Sequence, residues 1–184
     1  MKPACRSAGS CHNQDVTAHR GGGGRFSGPG WSLAGYSDVI YVACPGCVGR
    51  AEVIPRPGQA DFRCVEDFLN RPRRLVCVHC TTARDWIPGK RDRGRLIAAP
   101  HGPSDPFFGR PLWLQAPCCG HILWAYNARH LDTLQSYVSA GLRERTDSDP
   151  SRGMLYRLPA WIKKAGHRSD VLRAIDLLRE QLNR

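Results

Sequence analysis

Two short cysteine pairs constrain this chain more than any other feature: Cys44-Pro45-Gly46-Cys47 and Cys77-Val78-His79-Cys80, separated by 29 residues. In each pair the two intervening residues allow a tight turn that aims both sulfurs at one point. The amides of that turn can donate to the thiolates. Two such turns supply four soft ligands, the donor set of a closed tetrahedral site. Pro45 and Gly46 suit the first turn, and each pair follows a β-rich run, Tyr41-Val42-Ala43 and Leu75-Val76. The expectation is one structural zinc ion, Zn2+, held by Cys44, Cys47, Cys77 and Cys80, with no coordination position left open for catalysis.

The rest of the composition agrees with metal rather than disulfides. Residues 1–25 contain no apolar run of the secretory type, so spaced cysteines read as ligands in a reducing, cytoplasmic setting. Nine cysteines is also an odd number, which leaves a thiol over in any all-disulfide scheme. No run approaches the roughly 18 apolar residues of a membrane span. The net charge of +11 invites a DNA or RNA partner, yet the charge is spread along the whole chain. The densest basic cluster is Arg71, Arg73 and Arg74. These, with Arg84, Arg50 and Trp86, are the candidate nucleic-acid contacts, and the alternative is a solvated loop.

Along the chain, residues 1–35 read as a disordered tail, rich in glycine and poor in apolar residues. Cys5, Cys11, His12 and His19 lie in it as stray side chains. Residues 36–90 carry strand patterns at Val39–Val42, Ala51–Ile54, Asp61–Val65, Leu75–Val78 and Thr81–Ile87. Residues 91–106 read as a linker. Residues 107–184 hold a hairpin and helices: strands over Pro111–Gln115 and His121–Tyr126, with a tight turn at Cys118–Gly120 between them. A helix follows over 128–145, capped by Asn127 and carrying Leu131, Leu134, Val138 and Leu142 on one face. Pro159 opens a short helix with Trp161 and Ile162. Ser169 caps the last helix, whose buried stripe is Val171, Ile175, Leu178 and Leu182. The fold class is α+β: an antiparallel sheet, a β-hairpin and two to three C-terminal helices. The sheet and the hairpin either form separate units or one continuous domain.

A second cluster, Cys118, Cys119 and His121, is open to three readings. One cysteine and His121 could join Cys64 or His130 in a second metal site. Both cysteines could be core thiols, or they could form a reactive pair. Adjacent cysteines do not readily aim two sulfurs at one ion. Among the aromatics, Phe107, Phe108, Trp113, Trp124 and Tyr126 could stack on bases, but such a run more often forms the core between a sheet and a helix.

The paired C-x2-C turns on strand ends resemble the zinc-ribbon class over residues 38–90, with a longer gap than the 15–20 residues of a compact site. Residues 105–131, with Leu158-Pro159-Ala160-Trp161-Ile162, extend the resemblance over 38–184 to uncharacterised bacterial proteins labelled as transcription-factor-type zinc-ribbon proteins. That resemblance implies a fold and a cytoplasmic bacterial setting, and no established activity. Three functions follow as expectations. The first is a zinc-binding adaptor contacting nucleic acid or a nucleic-acid-handling protein. The second is an assembly component with a protein partner and no nucleic acid. The third, less favoured, is a thiol enzyme using Cys118 or Cys119.

Overall fold

The computed structural model describes residues 25–26, 33–58, 71–88, 102–140, 142–143 and 154–183. In chain order the strands are β1 (Arg25–Phe26), β2 (Ile40–Ala43), β3 (Arg50–Pro55), β4 (Arg73–Val76), β5 (Ala83–Trp86), β6 (Leu114–Cys118), β7 (His121–Ala125) and β8 (Leu142–Arg143). The α-helices are α1 (Ala128–Ser139), α2 (Ala160–Lys163) and α3 (Arg168–Leu182). Short 3-10 turns cover Leu33–Tyr36, Leu155–Arg157 and Ala165–His167. This is the expected α+β class.

Period-two patterning builds the first sheet, which is antiparallel in the order β2-β3-β4-β5. Ile40, Val42, Ala51, Val53, Arg73 and Leu75 face the same buried side, because they pair across the ladder. Two strand expectations shift. Pairing stops at Val76 and resumes at Ala83, so Cys77, Val78 and Thr81 belong to a turn rather than to strands. The strand expected at Asp61–Val65 lies outside the described residues.

The second sheet is the hairpin β6–β7, closed through Cys119 and Gly120 at φ of 50° and 75°. Two consecutive positive φ values define the turn whose twist matches that of antiparallel strands. The first strand of this hairpin runs later than expected. Residues 111–113 instead lie along the outer edge of β2, where Ala43 donates to the Pro111 carbonyl, Trp113 donates to the Tyr41 carbonyl, and Leu112 bridges Val42. Tyr41 also donates to the Tyr126 carbonyl at 2.8 Å, so hairpin and four-stranded sheet share backbone bonds. The strand continues through Pro117, which a two-stranded sheet can hold at its edge.

Asn127 caps α1 as expected. Its Oδ1 accepts the His130 amide at 2.9 Å, and its Nδ2 donates to the carbonyls of Tyr36 and Val39 at 2.6 and 2.7 Å. One side chain thus fixes both a helix start and the entry to β2. Leu131, Leu134 and Val138 are buried. The helix ends at Ser139, six residues short of expectation. Ala140 is extended at ψ 132°, its carbonyl held by Arg168 at 2.6 Å, and Gly141 follows in sequence. Leu142 therefore leaves the helix face and sits in β8, which pairs parallel with β1.

α2 opens after Pro159 as expected and ends at Lys163, with Gly166 in a separate 3-10 turn. Ser169 does not cap α3. The helix starts at Arg168, and its cap position, His167, makes no side-chain cap bond. Val171, Ile175 and Leu178 are buried, and α3 packs on α1 and β6. The tail expected over 1–35 lies outside the described residues except for 25–26 and 33–35. Of these, Ala34 is buried against the core, so ordered chain begins before Tyr36. Of the linker expected over 91–106, residues 91–101 lie outside the described residues, and residues 103–106 are half-buried or buried. Asp105 is buried and accepts the amides of Phe107, Phe108 and Arg110 at 2.9, 2.8 and 2.7 Å. Among the described residues no helix is long and apolar enough to cross a membrane.

Candidate metal centre

The register of the first sheet brings the two cysteine pairs together. Ala43 opposes Arg50, and Val76 opposes Ala83, so each hairpin closes over a six-residue loop, 44–49 and 77–82. Glu52 opposes Val76. The start of β3 thus lies beside the end of β4, and both loops emerge at the same end of the sheet.

There the four sulfurs converge. Cys44 Sγ lies 3.5 Å from Cys80 Sγ, Cys47 Sγ lies 3.7 Å from Cys77 Sγ, and all four ligand atoms fall within 4.8 Å of one another. A tetrahedral ion with metal–sulfur bonds of about 2.3 Å requires sulfur separations of about 3.8 Å. The cluster fits such an ion, and it is the one group of this kind among the described residues.

The surroundings favour thiolate. The Gly46 amide donates to Cys44 Sγ at 3.3 Å, and Thr82 Oγ1 lies 3.0 Å from Cys80 Sγ. Burial raises the Cys44 thiol, but the amides of Cys47 and Gly46 with the thiols of Cys80 and Cys77 outweigh it and hold the group at about 6. Cys47 is lowered by the Gly49 amide, yet Cys80, burial, Cys77 and Cys44 together push it up to about 12. Like charges this close cannot all ionise on their own, and a divalent cation removes that conflict.

Backbone conformation supplies a signal that spacing alone does not reveal. Val48 and Thr81, each the residue after the second cysteine of its turn, have φ of 63° and 59°. Both are β-branched, the class that pays most for left-handed backbone. The two turns share this position and a closing bond, Cys44 N–H to Gly49 and Cys77 N–H to Thr82 at 2.8 and 2.9 Å. Gly46 is required by space: a Cβ there would meet Thr82 Oγ1 at 2.6 Å and Cys80 Sγ at 3.3 Å. His79 is exposed, the solvent-facing spacer its position implied.

The second cysteine cluster is arranged otherwise. Cys118 and Cys119 sulfurs lie 3.7 Å apart, closer than expected of adjacent cysteines that do not readily aim at one ion. The left-handed φ of Cys119 breaks strand alternation and swings its side chain to the side of Cys118. His121 does not join them. Its ring stacks on Trp161 at 5.0 Å and 12°. His130 is buried and accepts the Tyr126 amide at Nδ1, and burial lowers it to about 3, so it is neutral. Cys64 lies outside the described residues. Burial, then Cys119 and Asp170, push the Cys118 thiol up to about 12.

The expected basic surface is divided. Arg73 is completely buried, donating to the Ser37 carbonyl at 2.8 Å with its guanidinium 4.7 Å from the Phe107 ring centre. Arg74 forks onto Asp85 at 2.7 and 3.0 Å. Arg50 donates to the Leu182 carbonyl at the C-terminus of α3. Arg71 is half-buried and Arg84 exposed on β5. Trp86 packs edge-on against Phe107. Of the aromatic run, Phe107 and Tyr126 are buried, while Phe108, Trp113 and Trp124 pack against the core.

Comparison of the chain with protein-family models, with curated proteins and with solved structures gives no match.

Proposed function

We propose that this protein is a zinc-stabilised adaptor, with one Zn2+ held by Cys44, Cys47, Cys77 and Cys80 in a structural, non-catalytic site. The observation that carries this reading is the convergence of four sulfurs within 4.8 Å of one another, enough to fill a tetrahedral coordination sphere with protein. The donor set favours zinc over harder cations. Elemental analysis of the purified chain tests it: one zinc per chain is expected, and a chain that folds with no metal overturns it. A cytoplasmic location accords with reduced thiols.

The partner in the first reading is nucleic acid or a protein that handles it, motivated by the charge of +11. A gel-shift panel of single- and double-stranded DNA and RNA tests that arm. Binding at low salt that weakens steeply as salt rises supports it, and no binding at low salt removes it. The second reading, a protein partner without nucleic acid, has a specific observation in its favour. Val48 and Val78 at the tips of the cysteine turns are 73% and 80% exposed, and Leu177 on α3 is 53% exposed. Val78 and Leu177 line a cleft of about 600 Å³ with His79, Trp113, Arg50 and Glu180. Apolar side chains at that exposure mark a contact surface more readily than a phosphate track. The enzyme reading is the weakest, since a nucleophilic thiol needs a lowered pKa and that of Cys118 is raised.

A further inference from the structure

We propose that Cys118 and Cys119 form a vicinal dithiol site that chelates a soft, hydroxyl-bearing electrophile of the trivalent-arsenical class.

The geometry begins with the turn. In a regular strand these two side chains would point to opposite faces. At φ 50°, Cys119 takes the left-handed conformation that the two-residue turn imposes, and its sulfur comes to 3.7 Å from that of Cys118. That separation equals the 3.7 Å between Cys47 and Cys77 in the metal centre, so both thiols can reach one central atom. Cys119 is partly exposed and gives access, whereas Cys118 closes the site from the core side.

The neighbours select what can bind. Asp170 Oδ2 lies 4.0 Å from Cys119 Sγ and is a negative charge beside the pair. It raises the Cys118 thiol further, against the thiolate that a zinc ion would need. His121, the nearest imidazole in sequence, is held against Trp161. Among the described residues no third and fourth soft donor completes a tetrahedron. A linear two-coordinate ion would require sulfurs on opposite sides of it, which adjacent residues on a tight turn do not offer. A three-coordinate pyramidal centre, which takes only two sulfurs from the protein, fits. The reaction also needs no free thiolate. Two S–H groups condense with two As–OH groups, forming two As–S bonds and releasing two waters. Each thiol proton leaves in water, with no change of oxidation state.

The test uses the full, metal-loaded chain with Cys5, Cys11 and Cys64 changed to serine, so that these three thiols do not respond. Phenylarsine oxide is the probe, read by native mass spectrometry. The expected result is one phenylarsenic per chain with the bound metal retained, removed by a dithiol and resistant to a monothiol. Cys118→Ser and Cys119→Ser each replace chelation by a single bond, with an expected loss of about 100-fold in apparent affinity. Unchanged adduct in both variants overturns the proposal, as does adduct formation that displaces the metal. So does a folded chain that takes no arsenical while the unfolded chain takes it.

Discussion

The four-stranded sheet and the hairpin–helix layer solve the same problem by different means. The sheet buries one row of side chains and closes its open end with four thiols and strained turns. The hairpin–helix layer has Leu114, Leu123, Leu131, Leu134, Val138, Val171, Ile175 and Leu178, all essentially inaccessible. A sheet with little apolar surface needs a staple, and a layer with a leucine-rich core does not. On the proposed reading, the difference sets where a cation would matter: at the cysteine turns, and little beneath α1 and α3.

The largest expected effect breaks the staple. Cys77→Ser should abolish metal binding and remove most of a contribution on the order of 10 kcal/mol. Hydrogen exchange should rise first across β2 to β5, and later in α1 and α3. Equal loss in both regions would show one cooperative unit and dissolve the contrast. Leu134→Ala addresses the other region. It should cost about 2–5 kcal/mol in denaturant unfolding while metal content per chain stays the same.

Acid sharpens the distinction further. His130 is held neutral by burial, with its folded pKa lowered to about 3. Its contribution is therefore fully present above the unfolded value of about 6.5 and fades as pH falls through that value toward 3, costing about 2 kcal/mol by pH 5. A His130→Gln variant should show a shallower decline in the stability of α1 between pH 6.5 and 5. Parallel wild-type and variant curves would assign the decline to the thiolates instead. The smallest effect is a gain. Val48→Gly relieves a left-handed β-branched residue and should raise the unfolding midpoint by an amount corresponding to about 1 kcal/mol.

Much of this was legible in the sequence because the signals are local. Spacing revealed the four cysteines that cluster, β-branched and aromatic residues marked β2, and Asn127 before an apolar 3.6-residue stripe marked α1. The failures are also physical. Ser169 looked like a cap, but α3 begins one residue earlier. Leu142 fitted the α1 stripe, but Ala140 turns the chain into β8. Arg73 read as surface charge, yet it shares the inward face of its strand with Leu75, two residues on. Its guanidinium is then accommodated by a carbonyl and an aromatic face.

By itself the sequence determined the paired cysteine turns, the α+β class and the order of the main strands and helices, since each depends on residue type and short-range period. Only the tertiary structure decided that the two cysteine turns share one end of a sheet, that Arg73 is interior, and that Cys118 and Cys119 face the same way. Those facts depend on strand register and on the sign of single φ angles, which are set by pairing partners distant in the chain.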